Sequence, residues 1–545
     1  MLKQKITDGK TYLGIELGST RIKACLIDEN YIPIAEGSFE WENRFENGYW
    51  TYSLEDIRNG IRKCYSSLKN AVNEKYGVNL TRFASIGVSA MMHGYMPFDK
   101  EAVLLAPFRT WRNATTEQAA TELSSLFNFN IPQRWSIAHL YQAILNGEEH
   151  VCNIAHITTL SGYIYHILTG NWDIGVCDAS GMFPICGQDY DKECIDKFDL
   201  LIKKYNFKWS VKDILPKVKV CGNVGSFLSK EGAKFLDESG NLESGIPVCP
   251  PEGDAGTGMV ATNSVKTETG NVSAGTSVFS MLVLKNNLRG MYPEIDIVTT
   301  PDASPVAMIH SNNGCSELDV WIKVFGEFAE MLGYDADKSK LYNMLYKNAL
   351  TGDDNCGGVV SYNFLADEPV AGVKNGKPSF FREQNSNLTL ANFFKSQLYS
   401  TVAVLKFGMK ILVEKENAKA ENFNAHGGLF KVKGVAQKFL ASALDTPVSV
   451  FETSGEGGAW GMALLAAYMT ETGNLSLGDW LDKRVFVEIE KETIIPEKKD
   501  VDAFNEYFKL YESGILNKLC GDNRNGAENE ICVEHNKHKQ VDITC

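Results

Sequence analysis

What this chain lacks narrows its options first. No run of its 545 residues is apolar for the length a membrane-crossing helix requires, so no membrane partner is expected. Residues 1–10 are polar and short of the apolar core of a signal peptide. Lysine and arginine (54) are outnumbered by aspartate and glutamate (68), which argues against a nucleic-acid partner held by bulk charge. The 13 cysteines are scattered, with no CxxC pair and no metal-ligand cluster. Several, such as Cys25 and Cys177, sit in apolar strand-like runs where cysteine serves as a small buried hydrophobe. A reducing, cytoplasmic setting is the expectation. Nor does any low-complexity linker divide the chain.

What is present is a turn used twice. Gly14-Ile15-Glu16-Leu17-Gly18-Ser19-Thr20-Arg21 runs on into the apolar residues 22–28. Asn271-Val272-Ser273-Ala274-Gly275-Thr276-Ser277 runs on into residues 278–284 in the same way. Each reads as strand, tight turn, strand, with small hydroxyl residues at the bend. Glycine lets the backbone turn sharply, and the N–H groups and hydroxyls of such a turn can cradle phosphate oxygens. One hairpin of this kind is only a turn. Two of them point to a duplicated architecture that grips a polyphosphate from both sides.

The rest of the chain reads as α/β. Strand patterns cover 12–28 and 31–41, followed by a helix over 50–73 with Ser53 as its cap and Ile57, Ile61 and Leu68 on its apolar face. A strand buried on both faces is expected at 83–90 and helices at 115–127, 135–146 and 158–169, the last closed by Gly170. A second αβ series begins at the second hairpin and includes a long helix over 390–416. The division expected is a domain over 1–262, a second over 263–519 and a disordered polar tail over 520–545, with a close-packed hinge near 258–268.

Several residues could carry chemistry. Glu16, on the strand before the first turn, would face bound phosphate through a divalent cation; otherwise it is an edge-strand side chain in solvent. Asp254 lies in the glycine-rich segment Glu252-Gly253-Asp254-Ala255-Gly256 and reads as a loop carboxylate. It is either a general base or an aspartate bonded to its own turn. His93, after the strand at 83–90, could bond a polyol or be structural. Trp111 offers a flat apolar face suited to a sugar or to a half-buried surface. Asn424-Ala425-His426-Gly427-Gly428-Leu429 would let a flat ring approach the backbone, with Gly434 and Gln437 opening a helix beyond it.

In this order, residues 11–470 resemble the FGGY family of carbohydrate kinases, whose fold is α/β with two RNase H-like (actin/hexokinase-like ATPase) domains and a cleft between them. The two hairpins look like the family's phosphate motifs, Met92-His93-Gly94 like the sugar segment of xylulokinases, and Glu252-Gly253-Asp254-Ala255 like the catalytic-aspartate motif. His426-Gly427-Gly428 with Gln437 resembles the adenosine region. The resemblance implies ATP and Mg2+ as cofactors, with Asp254 as base and Glu16 reaching the metal. It places Gly18, Ser19, Thr20, Lys23, Gly275, Thr276 and Ser277 at the phosphates, and Gly427, Gly428 and Gln437 at the nucleoside. Met92, His93 and Trp111 join Asp254 at the sugar.

The chain departs from the family pattern at Glu16 (usually Asp), Met91 (commonly Gln), Trp111-Arg112-Asn113 and Leu429-Phe430-Lys431. The expected activity is phosphorylation of a ketopentose, D-xylulose or L-ribulose, with a small-molecule sugar as the partner and a homodimer left open. A catalytically weak sugar and nucleotide sensor and an actin- or chaperone-like ATPase are the alternatives.

Overall fold

The computed structural model describes residues 2–335 and 337–515; the tail expected over 520–545 lies outside the described residues. Two seven-stranded mixed sheets organise the chain. The first half contains β1 (Tyr12–Leu17), β2 (Arg21–Ile27), β3 (Pro33–Glu40), α1 (Leu54–Tyr76), β4 (Ser85–Ala90), α2 (Leu160–Thr169), β5 (Ser226–Phe227), β6 (Pro247–Val248), β7 (Glu252–Gly253) and α3 (Asp254–Ala261). The second contains β8 (Thr269–Ala274), β9 (Val278–Val283), β10 (Asp296–Thr299), β11 (Pro305–Ser311), α4 (Leu390–Glu414), β12 (Asn422–Gly427), α5 (Val435–Leu444), β13 (Val448–Phe451), α6 (Gly457–Glu471), β14 (Lys491–Ile494) and α7 (Lys498–Gly514).

Both sheets are wound alike. β1 runs antiparallel to β2 and parallel to β4, while β2 runs antiparallel to β3. β8 runs antiparallel to β9 and parallel to β12, while β9 runs antiparallel to β11. The parallel pairings need a crossover, which α1 supplies in the first half and α4 in the second. α1 starts where its residues dictate: the Ser53 hydroxyl accepts the Asp56 N–H, and Gly77 closes the other end in the left-handed conformation. It begins four residues later than its pattern suggested because Tyr49–Thr51 is drawn into a ribbon with Arg44–Glu46. Its apolar face, including Ile57, Ile61 and Leu68, is buried in the core of the first sheet.

The inner faces of the sheets meet through two helices. α6, though late in the chain, lies against β1 and β4 of the first sheet and crosses α3. Gly14 on β1 permits this, since a Cβ there would stand 2.1 Å from the Ala459 carbonyl oxygen. The Ser85 hydroxyl on β4 donates to the Ala466 carbonyl at 2.7 Å. One apolar cluster, with Tyr12, Met259, Met281, Trp460 and Met462, joins the two halves. The seam between the halves is therefore tightly filled, and α6 carries the second half back onto the first. Burial of such a seam is the dominant favourable contribution to holding the halves together.

An insertion between β4 and β5 builds its own core around Leu123, Trp135, Leu140 and Phe198. It reaches across to β10, where Arg134 forms an ion pair with Asp296 and Asn130 Nδ2 donates to Asp296 Oδ1 at 3.0 Å. The polar stretch over 471–515 is folded into the second half: β14 pairs with β13, and α7 buries Tyr507 and Tyr511. No described helix is long and apolar enough to cross a membrane.

Candidate active site

Both predicted hairpins form, one at the end of β1 and one at the end of β8. In the first, the Gly18 N–H donates to the Arg21 carbonyl at 3.0 Å. Aromatic side chains brace it from behind: Trp41 Nε1 donates to the Gly18 carbonyl at 2.8 Å, and the Tyr52 hydroxyl to the Ser19 carbonyl at 2.5 Å. In the second, the Gly275 N–H donates to the Ser277 carbonyl at 2.9 Å, and Gly314 and Cys315 N–H groups fix the carbonyls of Thr276 and Gly275. With its carbonyls turned into the protein, the second turn leaves Gly275 and Thr276 exposed. Thr20 is exposed and Gly18 and Ser19 half-buried, so both bends are open to a ligand.

Glu16 is not a solvent-facing edge residue. Its Oε2 accepts the Ala459 N–H at 3.1 Å, in the first turn of α6, where a helix N-terminus favours negative charge. Gly458 makes room for it, because a Cβ there would stand 2.3 Å from Glu16 Oε1. Burial, and then the charge of Asp254, push the Glu16 carboxyl up to about 7, with Lys23 and the Ala459 N–H pulling the other way. Lys23 stands directly opposite Glu16 in the β1–β2 register. Glu16, Lys23 and Asp254 thus form one electrostatic group.

Asp254 is the first residue of α3 rather than part of a loop, which corrects the sequence reading. The close crossing of α3 and α6 is made by Gly461 of α6, where a Cβ would stand 2.0 Å from the Thr257 carbonyl oxygen, while Gly256 makes room for Cys177. The Asp254 Oδ1 accepts the N–H of Met92 at 3.1 Å and of Ala255 at 3.0 Å. Burial raises its carboxyl to about 6 against the pull of these N–H groups. A half-buried carboxylate with that pKa can take a proton near neutral pH. Beneath it lie two wholly buried acids that the sequence reading did not assign to the site. Asp178 Oδ2 accepts the Thr159 hydroxyl at 2.6 Å and the Ser161 hydroxyl, and Glu252 Oε2 accepts the Asp178 N–H at 3.3 Å.

The segment after β4 is tied to this aspartate through the Met92 N–H. Met92 is buried, and His93 next to it has φ +70° and a buried ring whose Nδ1 sits 3.2 Å from the Gly181 carbonyl. Burial, followed by the Arg134 charge, keeps His93 neutral. Trp111 is exposed, and no hydrogen bond or ring contact ties it to His93 or Asp254. Nearer the segment, Arg109 bonds Tyr95 through the backbone.

At the other end of the site Gly427, the last residue of β12, and Gly428 after it are both exposed. Gly427 has φ +106°, and a Cβ on it would stand 2.3 Å from the Ala274 carbonyl oxygen, so the position demands glycine. Gln437 does not join them. It is buried in α5, and its Nε2 donates to the carbonyls of Val448 at 2.8 Å and Glu492 at 2.9 Å, bracing β13 and β14. No sequence signal separates a glutamine that binds a ligand from one that satisfies strand carbonyls.

This geometry agrees with the comparisons. Residues 11–260 match the N-terminal domain, and residues 270–470 the C-terminal domain, of the FGGY family of carbohydrate kinases. A xylulose kinase of Haemophilus influenzae is 21% identical over 486 residues, covering 85% of this chain and 92% of its own. A ligand-bound xylulose kinase from Lactobacillus acidophilus superposes with a TM-score of 0.75 at 16% identity, covering 94% of this chain and 99% of its own. A glycerol kinase of Plasmodium falciparum with ADP gives 0.73 at 15% identity, over 92% of this chain and 98% of its own. The two sheets are the two ribonuclease H-like domains of that architecture. The chain belongs to the FGGY family of carbohydrate kinases, phosphotransferases that act on a sugar hydroxyl.

Proposed function

We propose that this protein is an ATP-dependent kinase that transfers the γ-phosphate to a hydroxyl of a ketopentose, D-xylulose or L-ribulose ahead of glycerol or a sugar acid. The observation that carries the reading is the bond from the Met92 N–H to Asp254. It joins the sugar-type segment 92–94 to a carboxylate whose charge acts on Glu16 beside the first hairpin. The match to a relative named a xylulose kinase supports the choice of ketopentose.

In this mechanism the N–H groups and hydroxyls of Gly18, Ser19, Thr20, Gly275, Thr276 and Ser277 hold the phosphates, Lys23 offsets their charge, and Gly427 and Gly428 lie against the adenine. The sugar sits on Met92 and His93. Asp254 takes the proton of the attacking hydroxyl as the new O–P bond forms and the bond to the β-phosphate oxygen breaks. Trp111 is assigned to the outer rim of the sugar site.

Magnesium fits the donor set, because Glu16 and Asp254 repel each other and a dication relieves that repulsion. Among the described residues no group of three or more His, Cys, Asp or Glu could hold a metal ion. Glu16 would therefore hold the ion together with phosphate and water oxygens, and the ion would offset phosphate charge. The Ala459 N–H aims the Glu16 carboxylate, while filling of the seam around α3 and α6 excludes water.

The test is coupled ADP release with ATP and magnesium across D-xylulose, L-xylulose, D-ribulose, L-ribulose, glycerol and gluconate. Strong stimulation by one ketopentose is the expected result. Stimulation by none, with ATP still bound, contradicts the reading.

A further inference from the structure

The second sheet presents a row of side chains that no part of the assignment above uses. In register, His426 on β12 stands beside Ser273 on β8, Ser273 beside Phe279 on β9, and Phe279 beside His310 on β11. Paired residues project to the same face of a sheet, as do residues two apart on one strand. Met308 therefore shares a face with His310, and so does Asp296, which is paired with Met308. That face is turned toward the first half, because Asp296 receives Arg134 and Asn130 from the insertion.

The connection continues to the sugar segment. The Arg134 carbonyl accepts the N–H of Gly94, the residue after His93, at 3.1 Å. Arg134 thus links the His93 segment by its backbone to the His310 face by its side chain. His310 is half-buried, and its ring lies over Phe279 with centroids 6.1 Å apart and planes 24° from parallel. Among the described residues no group hydrogen-bonds its ring nitrogens. Burial and the nearby Arg134 hold its pKa at about 3.

We propose that His310 is the second domain's contact to the sugar, opposing His93, and that this pair selects an uncharged polyhydroxy substrate over a sugar acid. The inference rests on the kinase reading above and adds to it a residue that would set the preference for a neutral sugar. A neutral imidazole offers one donor and one acceptor, which matches a hydroxyl that can play both parts. Among the described residues the His310 nitrogens have no protein partner and are not among the buried unpaired atoms, so a sugar hydroxyl can reach them. The cation nearest this end of the site, Arg134, is already paired with Asp296, so it is not left free for a carboxylate. Phe279 lies alongside the ring and supports it on one side.

The test uses steady-state kinetics and sugar titrations, followed by intrinsic tryptophan fluorescence, on the full chain, His310→Phe and His310→Gln. For the sugar the wild type accepts, His310→Phe should raise KM and the sugar dissociation constant roughly tenfold or more. KM for ATP should stay within about twofold, and His310→Gln, which keeps a donor and an acceptor, should recover part of the loss. Unchanged sugar KM in His310→Phe overturns the contact, as does an equal rise in the sugar and ATP constants of both variants. Gluconate preferred over every neutral sugar by the wild type overturns the substrate class. Sugar binding seen by fluorescence without turnover would sink the kinase reading while leaving His310 testable by its dissociation constant. Should His310→Phe fold poorly, His310→Gln with a wild-type sugar constant and His310→Ala with a raised one still support the contact. Wild-type constants in both reject it.

Discussion

The two halves raise the same row of positions beside their hairpins and fill it with different chemistry. In the first sheet the row runs Ser38, Lys23, Glu16, Ser89 across β3, β2, β1 and β4. In the second it runs His310, Phe279, Ser273, His426 across β11, β9, β8 and β12. One row is charged at its centre, the other carries a hydroxyl and an aromatic between two imidazoles. Burial holds His426 at about 4 and His310 at about 3, so both remain neutral at physiological pH. The winding decides where functional side chains stand, and residue type decides whether a row manages charge or shape. A duplicated fold can thus divide one reaction between a domain that handles charge and a domain that offers neutral surfaces.

The comparison breaks or sharpens at matched positions. The largest expected difference is two residues before the row, where Gly14 of β1 corresponds to Asn271 of β8. Gly14→Ala drives a Cβ into the backbone of α6 and should cost about 2–4 kcal/mol of stability. Asn271→Ala loses only a 3.4 Å contact to the Thr262 hydroxyl and should cost about 1 kcal/mol or less. Urea unfolding measures both, and equal costs would mean that the two sheet faces are not covered in the different ways described.

Within the row itself, Glu16→Gln should raise KM for magnesium-ATP about tenfold, since a charged group is worth more than a neutral hydrogen bond. Ser273→Ala at the matched position should change it less than about twofold. Initial-rate kinetics at fixed sugar separates the two, and a larger effect at Ser273 would reverse the assignment of charge to the first half.

The smallest expected signal is in the pH profile. Asp254 must be ionised to accept a proton, so kcat/KM should fall with decreasing pH from about 6. Removing the neighbouring negative charge in Glu16→Gln should move that limb to lower pH, while Ser273→Ala should leave it in place. A limb that moves equally in both variants would deny that Glu16 and Asp254 share one field.

Much of this was legible because it is local. The glycine and hydroxyl residues of both hairpins, the Ser53 cap and the Gly170 stop each encode a turn or end within a few residues. Distant relations were hidden. Asp254 read as a loop residue because the glycines around it signal turns, whereas here Gly253 and Gly256 make room for Met92 and Cys177 within a helix start. Gln437 read as a ligand residue because its bonds to β13 and β14 cannot be seen before those strands pair. Arg134 and His310 drew no attention because they become neighbours only when the insertion of one half closes on β10 and β11 of the other.

The most direct test of the account is Asp254→Asn, measured for ATP binding, for melting temperature and for sugar-stimulated ADP release. The account predicts a folded protein that binds ATP as the wild type does, with kcat reduced about 10²–10⁴-fold. Turnover near the wild-type rate would remove Asp254 from the chemistry and contradict the central claim.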